Sequence, residues 1–185
     1  MPDFVRLAIP EIWAWTPRRH EDARGWFSET FAQRTLSAWT GAVDFVQDNQ
    51  SSSRAAGTVR GLHFQVPPMT QAKLIRVVKG AILDVAVDLR RSSPTFGQHA
   101  AVELNAKNGR QVFVPEGFAH GFVTLEPDTE VFYKVSRYFS LPHDRGLLWS
   151  DPDLSIDWKT SADAATVSEK DKSHPRLKDL PSYFD

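Results

Sequence analysis

Cysteine is absent from the 185 residues, which excludes disulfides and thiol nucleophiles and fits a cytoplasmic protein. Neither sign of charge is in marked excess, with 22 Lys and Arg against 23 Asp and Glu. The formal net charge is -1 and no basic stripe runs along the chain, so nucleic acid is not an expected partner. No apolar run approaches the ~18–20 residues needed to cross a bilayer, and no membrane association is expected. The opening Met1-Pro2-Asp3-Phe4-Val5-Arg6 lacks the pattern of a secretory signal. Hydrophobic residues make up 41% of the chain, with 12 Phe and 6 Trp, enough for a sizeable core in one domain over residues 1–185.

That apolar content falls in short Val/Ile/Phe-rich runs divided by Gly, Pro, Asn and Asp. Strands are predicted over 6–13, 44–51, 58–64, 73–78, 81–89, 99–104, 111–114, 121–125 and 130–138. Lys79-Gly80 and Lys107-Asn108-Gly109 read as hairpin turns. The run from Ala81 alternates, with Leu83, Val85, Val87 and Leu89 on one face and Asp84 and Asp88 on the other. Such spacing predicts an all-β antiparallel sandwich, jelly roll or barrel. Helix is sparse: one over 27–39 with Ser28 as N-cap, and a short one from Ser168, where Ser168-Glu169-Lys170-Asp171 has capping-box spacing.

Several polar residues interrupt the apolar pattern. Alternation places His63 with Gly61 and Gln65 on one face, and Arg60 with Leu62 and Phe64 on the other. A buried histidine needs a partner, so His63 is a base, a metal ligand or a hydrogen-bonded core residue. Metal-binding barrels of the cupin kind present His-x-His followed by Glu. Here Gln65 stands two beyond His63, and no Glu lies between Gln65 and Lys79. With His63 and His120 as the central candidates, no set of three ligands emerges and no metal is expected. Lys73 shares a face with Ile75 and Val77, either as a strand-end lysine reaching water or as a cation for a substrate oxygen. His120 sits between Gly117 and Gly121, at a turn or a pocket rim. Taken alone, Tyr133 reads as a core aromatic whose hydroxyl finds a partner, and Asp171 as a helix cap.

Taken together, the stretches 25–29, Gln47-Asp48-Asn49, 60–65, 71–78, 84–90 with 93–97, 115–122, 133–138, 149–152 and 168–171 resemble the dTDP-4-dehydrorhamnose 3,5-epimerase family. The resemblance implies a cupin-like jelly roll, free of metal and cofactor, forming a homodimer with exchanged N-terminal strands. It also implies a C-terminal segment, about 151–185, that folds back over the pocket. The substrate would be a nucleotide-linked 4-keto-6-deoxy sugar. Inverting carbons beside a ketone requires a base on one face of the ring, an acid on the other and a donor near the C4 oxygen. By resemblance His63 is the base, oriented by Asp171, Tyr133 is the acid, and Lys73 steadies the enolate. Arg24, Glu29, Gln47, Asp48, Asn49, Arg60, His120, Asp144, Lys170, Tyr138 and Phe139 match places that hold the nucleotide sugar.

Two positions depart from the family pattern: Phe139 where a second tyrosine is common, and Asp144 where Glu is common. Both bear on the nucleotide base rather than on proton transfer. A relative inverting only C3 or only C5 is an alternative, and a metal-dependent cupin isomerase is another.

Overall fold

The computed structural model describes residues 3–185, so Met1 and Pro2, where the leader reading begins, lie outside them. The chain opens with β1 (Asp3–Arg6), β2 (Trp13–Thr16), β3 (His20–Asp22) and β4 (Gly25–Phe27), followed by helix α1 (Gln33–Thr40). Then come β5 (Gln47–Ser53), β6 (Val59–Gln65), β7 (Lys73–Lys79), β8 (Ala81–Asp88) and β9 (His99–Asn105). β10 (Gln111–Val114), β11 (Phe118–Thr124), β12 (Thr129–Val135), β13 (Asp144–Gly146) and the short helix α2 (Glu169–Lys172) complete the order. One sheet runs β1-β2-β10-β7-β12-β5 and the facing sheet runs β13-β6-β11-β8-β9. All these pairings are antiparallel, and the chain crosses from sheet to sheet as a jelly roll does.

Both sheets are covered on both faces, which explains why few strands show a clean polar side. Ile75, Val77, Ile82, Ala86, Val112, Phe122 and Val131 pack between the sheets. Trp15, Leu36, Leu74 and Phe113 form a second cluster with α1 outside the first sheet. Val59, Leu62, Phe64, Val85 and Val87 form a third behind the second sheet, closed by Trp149, Trp158, Leu180 and Tyr183. The polar face expected on β8 is therefore buried too: Asp84 and Asp88 are 2% and 0% exposed, which obliges each to find partners.

Several local expectations are corrected. The strand expected over 6–13 is instead the end of β1, a connection over residues 7–12 and the start of β2, with Ile9 and Ile12 anchored in the core and Pro10 inside the turn. Helix α1 begins at Gln33, capped by Ala32 without a side-chain bond, not near Ser28. Lys79-Gly80 and Lys107-Asn108-Gly109 are not hairpin turns. Each carries the chain from one sheet to the other, since β7 pairs with β10 and β12 while β8 pairs with β9 and β11. A glycine at positive φ marks a reversal, but it does not say which strand the next one will join.

The faces of β6 are corrected as well. His120 lies opposite His63, and Phe122 lies opposite Arg60, so two steps on β11 span three on β6. The extra residue is a bulge at Gly61-Leu62. It returns Arg60 to the face of His63, while Val59, Leu62 and Phe64 point to the cluster behind the sheet. Glycine is required there: Gly61 has φ +127°, and a Cβ would stand 2.6 Å from the Cα of Gly121.

Candidate active site

Between the sheets lies a cavity of about 500 Å³ lined by Arg60, His63, Lys73, His120, Tyr133, Lys170 and Asp171 among others. A neighbouring space of about 330 Å³ shares His63, Lys73, Tyr133 and Lys170, and adds Gln47, Asn49, Phe139 and Asp144. Register explains the convergence. Tyr133 on β12 pairs with Ile75 on β7 and Asn49 on β5, all turned inward from the first sheet. His63 and His120 pair across β6 and β11 of the second sheet. His63 and Tyr133 therefore occupy opposing walls.

His63 is oriented from the C-terminal segment. Its Nε2 lies 2.7 Å from Oδ1 of Asp171, and the Gly61 amide donates to Oδ2 at 3.3 Å. Ser168 caps α2 by accepting from the Asp171 amide. The carboxylate of Asp171 makes no reciprocal capping bond; it is spent on His63, 108 residues away. Asp171 is 4% exposed. Burial opposes its charge, yet the hydrogen bond and charge of His63, helped by the Gly61 amide, hold its pKa below the usual carboxylate range. With Nε2–H directed at Asp171, Nδ1 is left to accept a proton.

Lys73 is 8% exposed and donates to the His63 carbonyl at 3.1 Å. Burial lowers its pKa to about 8 against the pull of Asp144 and Asp84. Tyr133 is shifted the other way: burial raises its pKa, with Arg60 partly offsetting, so the phenol stays protonated and able to donate. Arg60 reaches across to the first sheet, donating to Ser53 Oγ at 3.1 Å and to the Ser52 carbonyl at 3.0 Å. Lys170 pairs with Asp144 at the rim, and the Phe139 amide donates to Gln47.

Within a single chain some predicted binding residues stand apart. Arg24 is exposed and paired with Asp22, Glu29 lines a groove on the outer face of the first sheet, and Asp48 pairs with Lys134 on that face. Tyr138 is exposed at the rim, with its carbonyl accepting from Gln65. Two participants escaped the sequence reading. Asp84 holds buried His120, Oδ2 to Nε2, at 2.8 Å; an acid inside the apolar run of β8 was its signal. His174 lies 3.6 Å from the Asp171 oxygen that His63 uses. Its signal was the spacing of three from Asp171.

His63, Asp171 and His174 bring three ligand-type atoms within 4.8 Å of one another. The 2.7 Å between His63 and Asp171 is hydrogen-bonding distance. Two ligands of a tetrahedral ion, with bonds of about 2.1 Å, would stand about 3.4 Å apart. The spacing of His63 and Asp171 is therefore that of a hydrogen bond.

The model of the family described as dTDP-4-dehydrorhamnose 3,5-epimerase matches residues 6–179. The chain belongs to that family. A relative from Sinorhizobium fredii, named dTDP-4-dehydrorhamnose 3,5-epimerase, is 48% identical over 98% of this chain and 92% of its own. One of the same name from Pseudomonas aeruginosa is 47% identical over 97% and 98%. The dTDP-6-deoxy-D-glucose-3,5-epimerase of Legionella pneumophila, solved with dTDP-4-keto-L-rhamnose, superimposes with a TM-score of 0.93 at 37% identity, covering 98% of this chain and 95% of that one. The sheets and these neighbours bear out the all-β fold expected from the strand pattern and the cupin-like jelly roll implied by the resemblance.

Proposed function

We propose that this chain inverts C3 and C5 of dTDP-4-dehydro-6-deoxy-D-glucose, giving dTDP-4-dehydro-L-rhamnose, and that it does so without a cofactor. One observation carries the reading: a histidine held by a buried carboxylate faces, across one cavity, a protonated tyrosine on the opposite sheet with a buried lysine nearby. His63 Nδ1 takes the proton alpha to the C4 ketone. The electron pair moves onto the C4 oxygen, which Lys73 stabilises, and Tyr133 returns a proton from the other side of the ring. Nothing is oxidised or reduced overall, so no redox partner is required.

Arg60, His120 and Lys170 suit the diphosphate, Arg60 because its guanidinium fork can bond two oxygens. Gln47, Asn49, Asp144, Tyr138 and Phe139 lie towards the nucleoside end. Arg24, Glu29 and Asp48 would serve a site only through assembly. Exposed Val5, Trp26, Phe27 and Trp39 on the N-terminal elements support the reading of a homodimer with exchanged strands. A monomer by light scattering would remove that part.

The activity is tested by incubating the protein with dTDP-4-dehydro-6-deoxy-D-glucose and identifying the product by NMR. The L-rhamno configuration is expected; unconverted substrate would defeat the proposal. Tyr133→Phe should slow net inversion by about 10²-fold while leaving abstraction by His63 in place. An unaltered rate and product ratio would return Tyr133 to a packing role.

A further inference from the structure

The Asp171–His63 pair has a third neighbour. His174 Nε2 is buried and unpartnered, 3.6 Å from the Asp171 oxygen that binds His63. The rings of His63 and His174 meet edge to face, 5.8 Å between centroids. A shift of about 0.6 Å would bring His174 to hydrogen-bonding distance. Its place is fixed by backbone: the Leu148 amide donates to the carbonyl of the next residue, Pro175, at 2.8 Å.

The space that His174 fills exists because of Gly146. In the β13–β6 ladder Gly146 lies opposite His63. A Cβ on Gly146 would stand 2.1 Å from His174 Nε2. Gly146 is not among the positive-φ glycines, so its backbone does not call for glycine. The lack of a side chain is explained by the ring lying against it. The charged or titratable groups felt by His174 are His63 from β6, Asp171 and Lys170 from α2, and Asp144 from β13. Burial and the proximity of His63 favour the neutral ring, despite the pull of Asp171.

We propose that His174 is a positioning residue for epimerisation: a neutral imidazole that steadies Asp171 Oδ1 through Nε2–H and so keeps the carboxylate aimed at His63. This rests on the roles given above to His63 and Asp171. It acts when His63 gains a proton, since the Asp171 oxygen facing the new cation is then held from a second side.

The test is steady-state kinetics of the full chain with His174→Phe, His174→Gln, Gly146→Ala and the double variant Gly146→Ala/His174→Phe. Phenylalanine keeps the ring over Gly146 but removes the donor. The Gln amide nitrogen sits as many bonds from Cα as Nε2 does. His174→Phe is expected to lower kcat about tenfold, as for loss of a hydrogen bond to a charged group, with KM within about twofold. His174→Gln should recover most of the loss, Gly146→Ala should reproduce it by displacing the ring, and the double variant should fall no further. An unchanged kcat in His174→Phe, or a Gln variant as slow as the Phe variant, would overturn the proposal. Thermal melts check folding; if His174→Phe does not fold, His174→Leu takes its place. Failure of this inference alone would leave His63→Ala inactive, whereas an active His63→Ala would remove the reading on which it rests.

Discussion

Replacing His63 by alanine lowers turnover by about 10²–10⁴-fold and leaves nucleotide binding nearly intact. The separation follows from where the side chain sits. His63 shares the larger cavity with Tyr133 and Lys73, while the residues suited to the nucleotide end, Gln47, Asn49 and Phe139, line only the neighbouring space. Kinetics read the loss in kcat, and calorimetric titration with dTDP reads the retained binding. Undiminished turnover in a folded variant would remove His63 as the base. The same variant has a stability signature. Asp171 has a depressed pKa, so it stabilises the fold at neutral pH, and that contribution is lost as pH falls through its folded-state value. Without His63, the first of the groups that lower this pKa, the loss of stability on acidification should be shallower.

Lys73→Met is expected to slow the enzyme and stabilise the protein together. Removing a preorganised cation from a developing oxyanion costs about 10²–10³-fold in kcat. On the stability side, the Lys73 pKa falls from 10.5 to about 8 because the charged form is buried. Below about pH 8 the folded and unfolded states both carry the proton, and the folded state bears the whole cost of desolvation. That is about 3 kcal/mol, reduced to about 2 kcal/mol once the lost hydrogen bond to the His63 carbonyl is counted. As pH rises from about 8 towards 10.5 the folded state releases the proton first. Wild-type stability should therefore climb relative to the variant across that window. Denaturant unfolding at pH 7 and pH 10 measures it. A variant that is both slow and less stable at pH 7 would contradict a buried, functional lysine.

The sequence was most legible where pattern and environment agreed. β7, β9 and β10 were read with ends within one residue, because each is an apolar-rich or alternating run bounded by turn residues. The first strand was misplaced because Ile9 and Ile12, though core residues, belong to a connection around Pro10. β3, β4 and β13 went unread: each has only three residues, too few for a period to show. On β6 strict alternation separated Arg60 from His63, and the bulge at Gly61 reunited them; the glycine marked the place without fixing the outcome.

The site was legible mainly through resemblance. No periodicity links His63 to Asp171 across 108 residues, and Asp171 viewed locally is a cap residue. Only tertiary structure shows that its amide donates to the capping Ser168 while its carboxylate bonds His63. Asp84 was legible as an acid in an apolar run, and its pairing with His120 needed the register of β8 against β11. His174 offered still less, since its significance depends on an empty position at Gly146.

A base and an acid on opposite sheets are expected to exchange the protons at two carbons of one sugar ring. Running the reaction in D₂O and locating the label by NMR tests it most directly. Deuterium at both C3 and C5 of the product is predicted, with Tyr133→Phe reducing incorporation from the acid side. Label at one carbon alone, or conversion without label, would contradict it.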